Sequence, residues 1–226
     1  MYFSKKFTKI SLMKLIIPAI LSNNLTDFEE KLKKVNDLSS WLQIDIADNH
    51  FVPNQTLFPR AFKNIKIEKN LEIHLMTFNP EKYFLDCQKI GAKRVIFHLE
   101  AVDDPLKILT GQKNYSFQLG LAINPKTPLE KVVPYLNYFN FLLFLGVEPG
   151  FQGQCFQSKT LDKIEKIKKN RSEIIVEVDG GINENNIEAI SAAGADIFVV
   201  GSALLKAKNP KKIFNQLMAK ISKKKV

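Results

Sequence analysis

The stretch that decides the fold spans residues 174–203 and reads IIVEVDGGINENNIEAISAAGADIFVVGSA. It begins with a short apolar run, continues with a segment of helical spacing, and ends with a second apolar run. Two apolar runs joined by a helix are typical of a βαβ unit, in which both strands lie parallel in one sheet.

The same alternation extends outward through the rest of the chain. Eight apolar runs occur in 226 residues, so one unit takes about 28 residues, as expected for a (β/α)8 barrel. The runs are nearly continuous in apolar residues, as in parallel strands that are covered on both faces. The predicted strands are Leu15–Leu21, Trp41–Ala47, Leu71–Met76, Arg94–Glu100, Phe117–Ile123, Phe139–Val147, Ile174–Gly180 and Ile197–Ala203. The predicted helices are Phe28–Asp37, Pro80–Ile90, Leu129–Leu136, Lys159–Lys169, Asn186–Ala193 and Pro210–Lys220.

We therefore predict a single α/β domain, a parallel eight-stranded (β/α)8 barrel at residues 13–222. An N-terminal extension at residues 1–12 precedes it, and a basic tail at residues 223–226 follows it. The alternative is an open doubly wound sheet, but no glycine-rich dinucleotide loop follows the first run. No apolar run approaches the ~20 residues that span a bilayer. Two cysteines cannot make a disulfide framework, so we expect a reduced, cytoplasmic protein.

The formal net charge of +10 raises the question of a polyanionic partner. The types of basic residue disfavour such a partner. The only arginines are Arg60, Arg94 and Arg171, and the other basic residues are lysines. Proteins that read nucleic acids usually rely on arginine for bidentate contacts. We interpret the charge as a solvated lysine surface, and we expect neither a nucleic-acid partner nor a membrane partner.

Polar side chains within the predicted strands indicate where the chemistry lies. Gln43 and Asp45 share one face of the second strand, and His74, His98 and Asp179 lie in the third, fourth and seventh. An aspartate within an apolar strand is unfavourable unless it is paired or liganded, so Asp45 and Asp179 are the strongest candidates. Such a cluster can bind a divalent metal or transfer protons. We interpret His98 as a core histidine.

Glycines mark a second candidate site at the neighbouring loops. Backbone N–H groups of such loops commonly bind phosphate in barrels, so the sequence suggests a small phosphorylated substrate. The residues follow the sixth, seventh and eighth strands and are Gly150, Phe151, Gln152, Gly153, Gly180, Gly181, Gly201 and Ser202.

With these residues in place, the chain resembles the ribulose-phosphate 3-epimerase family. The resemblance covers roughly residues 16–206 and follows the family's order, and the runs around His50 and Gly150 are the most specific. The matching stretches are Ile17–Ser22, Asp45–Asn54, Ile73–Met76, Gly120–Pro125, Val147–Gln154, Val178–Ile182 and Val200–Ser202.

The resemblance implies a barrel that interconverts D-ribulose 5-phosphate and D-xylulose 5-phosphate in the pentose phosphate pathway. Asp45 and Asp179 would carry the protons at C3 through an enediolate. Asp45, His74 and Asp179 would hold a divalent metal, zinc first and Fe²⁺, Mn²⁺ or Co²⁺ as alternatives. His74 and Met76 would also contact substrate. The expected partners are a phosphorylated ketopentose and further copies of the chain in a homo-oligomer.

The chain departs from the family's pattern at several site positions. Gln43 stands where the family has its first histidine ligand, and a neutral amide oxygen is a poorer zinc ligand than imidazole. Ala19 replaces a substrate-contacting serine, and Ala47 and Leu145 replace methionines that line the family's site. We therefore treat Gln43 as a fourth candidate ligand whose role is open.

Three other functions compete with this one. A phosphosugar decarboxylase or aldolase is disfavoured, because those barrels use an Asp-x-Lys-x-x-Asp run and no lysine follows Asp45 at that spacing. An epimerase of another ketose phosphate would need the same phosphate loops. A degenerate, non-catalytic phosphosugar-binding protein is suggested by Gln43 and Ala19, although it would have no need of two opposed carboxylates.

Overall fold

Eight parallel strands close into one barrel in the computed structural model, which describes residues 14–111 and 114–222. Each strand pairs with its sequence neighbours, and the first also pairs with the eighth, so the sheet closes on itself. The predicted (β/α)8 barrel is confirmed. The strands are β1 (Leu15–Leu21), β2 (Trp41–Ala47), β3 (Asn70–Met76), β4 (Ala92–His98), β5 (Gln118–Ile123), β6 (Phe141–Leu145), β7 (Ile175–Asp179) and β8 (Ile197–Val200).

Helices connect most of the strands and cover the outside of the barrel. The first helix, α1 (Leu25–Val35), begins where the Asn24 side chain accepts a hydrogen bond from the backbone N–H of Asp27, at 2.9 Å. The last helix, α7 (Pro210–Ser222), begins at Pro210, which suits a first helical turn. The α-helices of the described residues are α1 (Leu25–Val35), α2 (Phe84–Lys89), α3 (Pro105–Gly111), α4 (Thr160–Asn170), α5 (Ile187–Ala193), α6 (Ser202–Leu205) and α7 (Pro210–Ser222).

Several predicted elements differ from the structure. The predicted strand Ile197–Ala203 ends at Val200, and α6, like α3, was not predicted. The predicted helix Pro80–Ile90 is a 3-10 turn, Pro80–Tyr83, followed by α2. The predicted helix Leu129–Leu136 is instead two short 3-10 turns, Leu129–Lys131 and Val133–Tyr135. Pro134 supplies no N–H and disfavours a continuous helix there. Glu100, predicted at the end of the fourth strand, lies in the 3-10 turn Leu99–Ala101, where its carboxylate accepts hydrogen bonds from the β5–β6 loop.

The barrel interior is filled by a separate apolar cluster. Gly120 is needed there, because a Cβ at this position would lie 2.7 Å from the Phe141 ring and 3.1 Å from Ile96. The fully or nearly fully buried members of this inner cluster are Ile17, Ala19, Ile96, Ala122, Phe141, Leu143, Leu145, Ile197 and Val199.

Charged residues form one further layer inside the barrel, two residues before His74 and Asp179 on their strands. The Arg94 guanidinium donates to Glu72 and lies 3.6 Å from a Glu177 carboxylate oxygen. It also lies 3.9 Å from the Phe141 ring centroid. Burial raises the pKa of Glu177 well above its ordinary value, and Glu72 acts in the same direction. Burial also raises the pKa of Glu72, although Arg94 opposes this.

Several sequence expectations concern the ends and surface of the chain. The predicted extension at residues 1–12 and the basic tail at residues 223–226 lie outside the described residues. Within residues 14–111 and 114–222, no helix is long and apolar enough to cross a bilayer. Both cysteines are free: Cys87 is buried, and Cys155 is exposed in the loop between β6 and α4.

Candidate active site

Three strands bring the predicted acid, base and ligand residues to the carboxyl end of the barrel. Asp45 of β2 lies directly across from His74 of β3 in the sheet register. Asp179 is the last residue of β7, which is separated from β2 by β8 and β1. Because alternate residues of a strand face the barrel interior, all three side chains meet there.

His74 lies within hydrogen-bonding or ion-pair distance of both carboxylates. His74 Nδ1 lies 3.2 Å from Asp45 Oδ1 and 3.5 Å from Asp179 Oδ2. His74 is almost fully buried, and Asp45 is 5% exposed. Asp179 has a 14% exposed side chain, so it is the more accessible of the two carboxylates. The structure thus assembles the cluster that the sequence predicted.

Gln43 contacts both carboxylates of this cluster. Its Nε2 donates to Asp45 Oδ1 at 2.7 Å and to Asp179 Oδ2 at 2.8 Å, and so links the two carboxylates. The residue is fully buried, and its Oε1 accepts no hydrogen bond from the described residues. The NH2 group of the Gln43 amide therefore reduces the repulsion between the two carboxylates by donating a hydrogen bond to each.

Burial and neighbouring charges set the protonation of the cluster. Burial alone would lower the pKa of His74, but its contacts with Asp179 and Asp45 raise that pKa to about 9. Burial raises the pKa of Asp179 even though His74 opposes this, and the negative charge of Asp45 adds to the increase. A carboxyl group with a raised pKa is suited to carry a proton near neutral pH.

The residues of the cluster fit a divalent metal ion. One ligand atom each from Asp45, His74 and Asp179 lie within 4.8 Å of one another. One imidazole nitrogen and two carboxylate oxygens suit zinc and several other divalent ions, and three protein ligands leave positions open for substrate. Gln43 Oε1, beside these ligands, has no hydrogen-bond partner among the described residues.

A single cavity above the cluster joins it to the predicted glycine loops. The predicted phosphate-binding and substrate-binding residues all line this cavity together with Asp45 and Asp179, whereas Gln43 lies beneath it. Its lining also includes Leu145, which the resemblance placed in the site. The remaining lining residues were not candidate site residues: Leu21, Val147, Glu148, Pro149, Ile182 and Val199. The predicted lining residues are His74, Met76, Gly150, Phe151, Gln152, Gly153, Gly180, Gly181, Gly201 and Ser202.

Backbone conformation explains two of these glycines. Gly153 has a φ of 85° and Gly181 a φ of 73°, a region that L side chains rarely adopt. A Cβ on Gly181 would lie 2.6 Å from the backbone nitrogen of Phe156, so the two loops approach closely. These glycines thus serve the loop geometry whether or not an anion binds there.

A lysine that sequence reasoning missed lies beside the same loops. A Cβ placed on Gly153 would be 3.3 Å from Lys206 Nζ, so the ammonium group lies next to the loop. Lys206 follows α6, whose first residue is Ser202. Only the folded structure shows that Lys206 is close to Gly153, because 53 residues separate the two positions in the sequence.

His98 is buried, as expected of a core histidine, but it is also connected to the cluster. Its Nε2 lies 2.9 Å from His74 Nε2, and its Nδ1 lies 3.4 Å from Glu100 Oε2. Burial lowers the pKa of His98, with Glu100 acting against this decrease. The interpretation of His98 as a core residue alone was therefore incomplete.

A closed (β/α)8 barrel with a carboxylate–histidine cluster at the carboxyl ends of its strands defines a barrel enzyme. Solved structures with the same fold include 3-hexulose-6-phosphate synthase from Salmonella typhimurium, with a TM-score of 0.68 at 19% identity. That match covers 92% of this chain and 98% of the other. A model of the ribulose-phosphate 3 epimerase family matches residues 15–205, and the chain belongs to this family.

Curated relatives agree with this assignment. A ribulose-phosphate 3-epimerase from Mycobacterium bovis is 36% identical over 202 residues, which cover 87% of this chain and 88% of the relative. The Escherichia coli protein of the same name is 34% identical, with 92% and 96% covered. The family resemblance and the epimerase class predicted from the sequence are confirmed by these matches.

Proposed function

We propose that the chain interconverts D-ribulose 5-phosphate and D-xylulose 5-phosphate by moving a proton at C3. The observation that carries this proposal is the meeting of Asp45, His74 and Asp179 in one cavity with the glycine loops. Family membership supports the same reaction. A role in the pentose phosphate pathway and a cytoplasmic location follow as parts of the proposal, as does a homo-oligomeric state.

The phosphate group is placed by the glycine loops in this proposal. Backbone N–H groups of Gly153, Gly181, Gly201 and Ser202 would donate to it, and Lys206 would add a positive charge. The sugar would then extend across the cavity toward the carboxylates.

The two aspartates would exchange protons with C3. One carboxylate removes the proton beside the ketone, which gives an enediolate, and the other carboxyl group returns a proton to the opposite face. The different burial of Asp45 and Asp179, and the raised pKa of Asp179, support unequal roles. His74 Nδ1 lies between them, 3.2 Å from Asp45 Oδ1 and 3.5 Å from Asp179 Oδ2.

Asp45, His74 and Asp179 would hold a divalent metal, with zinc proposed first and Fe²⁺, Mn²⁺ or Co²⁺ as alternatives. When bound, the ion supplies positive charge that stabilises the oxygens of the enediolate. Gln43 would help by turning its Oε1 toward the ion and removing its Nε2 from between the carboxylates.

The decisive experiment incubates purified protein with D-ribulose 5-phosphate, with and without zinc, and measures D-xylulose 5-phosphate by NMR. Conversion that increases with zinc is expected. Free D-ribulose should react at least about a hundredfold less efficiently, because the phosphate-binding free energy is absent. No conversion under either condition would contradict the proposal.

A second candidate is an epimerase of a different ketose phosphate. The Gln152 side chain lies over Gly201, where its Nε2 would be 2.7 Å from an added Cβ. This side chain narrows the region beside the phosphate loops and can alter which sugar fits. Conversion of another ketose phosphate with higher kcat/KM than D-ribulose 5-phosphate would favour this candidate.

Replacing Lys206 with alanine should raise KM for the phosphosugar by about tenfold with little change in kcat, because a charged partner of the phosphate is lost. Lys208→Ala is the matched control, since Lys208 is an exposed lysine two residues away. Steady-state kinetics at two salt concentrations will measure the effect, which high salt should reduce. Equal KM values for the two variants would show that Lys206 does not contact phosphate.

Replacing Gln43 with histidine should increase zinc affinity by about tenfold or more. Loss of even a supporting partner of a metal ligand changes affinity by about 10–100-fold, so an added imidazole should have a comparable effect. Gln43→Leu, which replaces the amide by an apolar side chain of similar size, should not increase the affinity. Competition with a chromophoric chelator will measure the three dissociation constants. Equal affinities for the parent and Gln43→His would rule out a metal position beside residue 43.

A further inference from the structure

We propose that His98 and Glu100 are positioning residues that fix His74 in the tautomer with its hydrogen on Nε2. When the metal is bound, the unprotonated Nδ1 of His74 then faces Asp45 and Asp179, whereas without it the raised pKa of His74 keeps a hydrogen on both nitrogens. The inference deepens the proposed function, since it rests on the metal site formed by those three residues.

The rings of His74 and His98 are in direct contact through their Nε2 atoms. Their Nε2 atoms are 2.9 Å apart, and two ring nitrogens at this distance must share one hydrogen, with one donating and the other accepting. His98 is fully buried and His74 is 1% exposed. The contact is therefore a specific one within the core, and it ties the tautomer of one ring to that of the other.

Glu100 favours one direction for this hydrogen bond. Its Oε2 lies 3.4 Å from His98 Nδ1, and neither atom has a hydrogen-bond partner among the described residues. Because a carboxylate can only accept, this contact favours the hydrogen on Nδ1. His98 Nε2 is then free of hydrogen and accepts from His74 Nε2. The Glu100 carboxylate is held by the backbone N–H of Asn124 at 2.9 Å and by the Thr127 hydroxyl.

The consequence lies at the other nitrogen of His74. With its hydrogen on Nε2, the ring directs its Nδ1 lone pair into the space between Asp45 and Asp179, 3.2 and 3.5 Å from their oxygens. The opposite tautomer would place a hydrogen where a cation must bind. Partners that fix a ligating histidine in this way typically change metal affinity by about 10–100-fold.

The first test determines the tautomers directly in the unmodified protein. The chain has three histidines, His50, His74 and His98, so long-range ¹H–¹⁵N NMR spectra of the zinc-bound protein can be assigned. The expected result is His74 with hydrogen on Nε2 and His98 with hydrogen on Nδ1. A hydrogen on Nε2 of His98 would overturn the inference.

The second test changes the positioning residue and measures zinc affinity by chelator competition. His98→Phe keeps a flat ring but removes the acceptor, and it should weaken zinc binding by about 10–100-fold. His98→Gln offers a carbonyl oxygen and should recover part of that loss. His50→Phe is the matched control, because His50 is exposed and should keep the parent affinity. Parent-like affinity in His98→Phe would overturn the inference.

The two tests separate this inference from the proposed function. Neither uses substrate, so zinc binding with the expected tautomers but without epimerisation would contradict the proposed reaction alone. Epimerisation by a zinc-bound protein with the opposite tautomers would contradict the inference alone. A parent protein that binds no zinc would overturn this inference and the metal site together.

Discussion

Asp45→Asn and Asp179→Asn are each expected to lower kcat/KM for D-ribulose 5-phosphate by about 10³–10⁴-fold. An amide of similar size cannot remove or return the C3 proton, and a positioned acid or base contributes up to about this much. Coupled steady-state kinetics will measure the loss, and circular dichroism will show that the fold is kept. Near-parental activity in either variant would exclude that residue as a proton carrier.

Isotope exchange can distinguish the two aspartates. A variant that lacks only the returning acid should still exchange the C3 hydrogen with deuterated solvent without inverting the centre, whereas a variant that lacks the base should do neither. Asp37→Asn is the control, because Asp37 is an exposed carboxylate in the loop after α1. Identical exchange and inversion rates in both active-site variants would contradict the assignment of opposed roles.

Arg94→Met is expected to lower the free energy of unfolding by about 3–5 kcal/mol. The variant leaves Glu72 and Glu177 buried without their cationic partner, and breaking a buried ion pair in this way is strongly destabilising. It also removes the guanidinium from its position 3.9 Å from the Phe141 ring centroid. Urea unfolding followed by tryptophan fluorescence will measure the change.

Two further variants test whether the effect comes from unpaired charge. Arg60→Met removes an exposed arginine and should change stability by less than about 0.5 kcal/mol. Replacing Arg94, Glu72 and Glu177 together by methionine should recover much of the stability, because no charge then remains unpaired. A triple variant that is less stable than Arg94→Met would show that packing, and not charge, causes the loss.

Much of the fold could be predicted because the strands are short apolar runs with polar boundaries. The bounds of β1 and β2 agree with the prediction at both ends. The predicted helix Leu129–Leu136 was wrong because its periodicity is helical, while Pro134 limits the backbone to 3-10 turns. The apolar periodicity of this segment therefore predicted a helix that its proline does not allow.

Part of the candidate site could be predicted from the sequence, and part required the structure. Asp45 and Asp179 could be found from sequence, because a carboxylate in an apolar strand needs a partner. The identity of the partners could not, since it depends on how β2, β3, β4 and β7 are arranged around the barrel. The contact between His74 and His98 and the position of Lys206 beside Gly153 are examples.

The exposed thiol of Cys155 gives this chain a natural attachment point for a fluorescent dye. Cys155 lies two residues after Gly153, in the loop that lines the cavity, whereas Cys87 is buried and burial raises the pKa of its thiol. A maleimide dye should therefore react at Cys155 and leave Cys87 unlabelled. Its emission would report phosphosugar binding without turnover, so the affinity of Asp45→Asn for substrate can be measured even though its reaction is blocked.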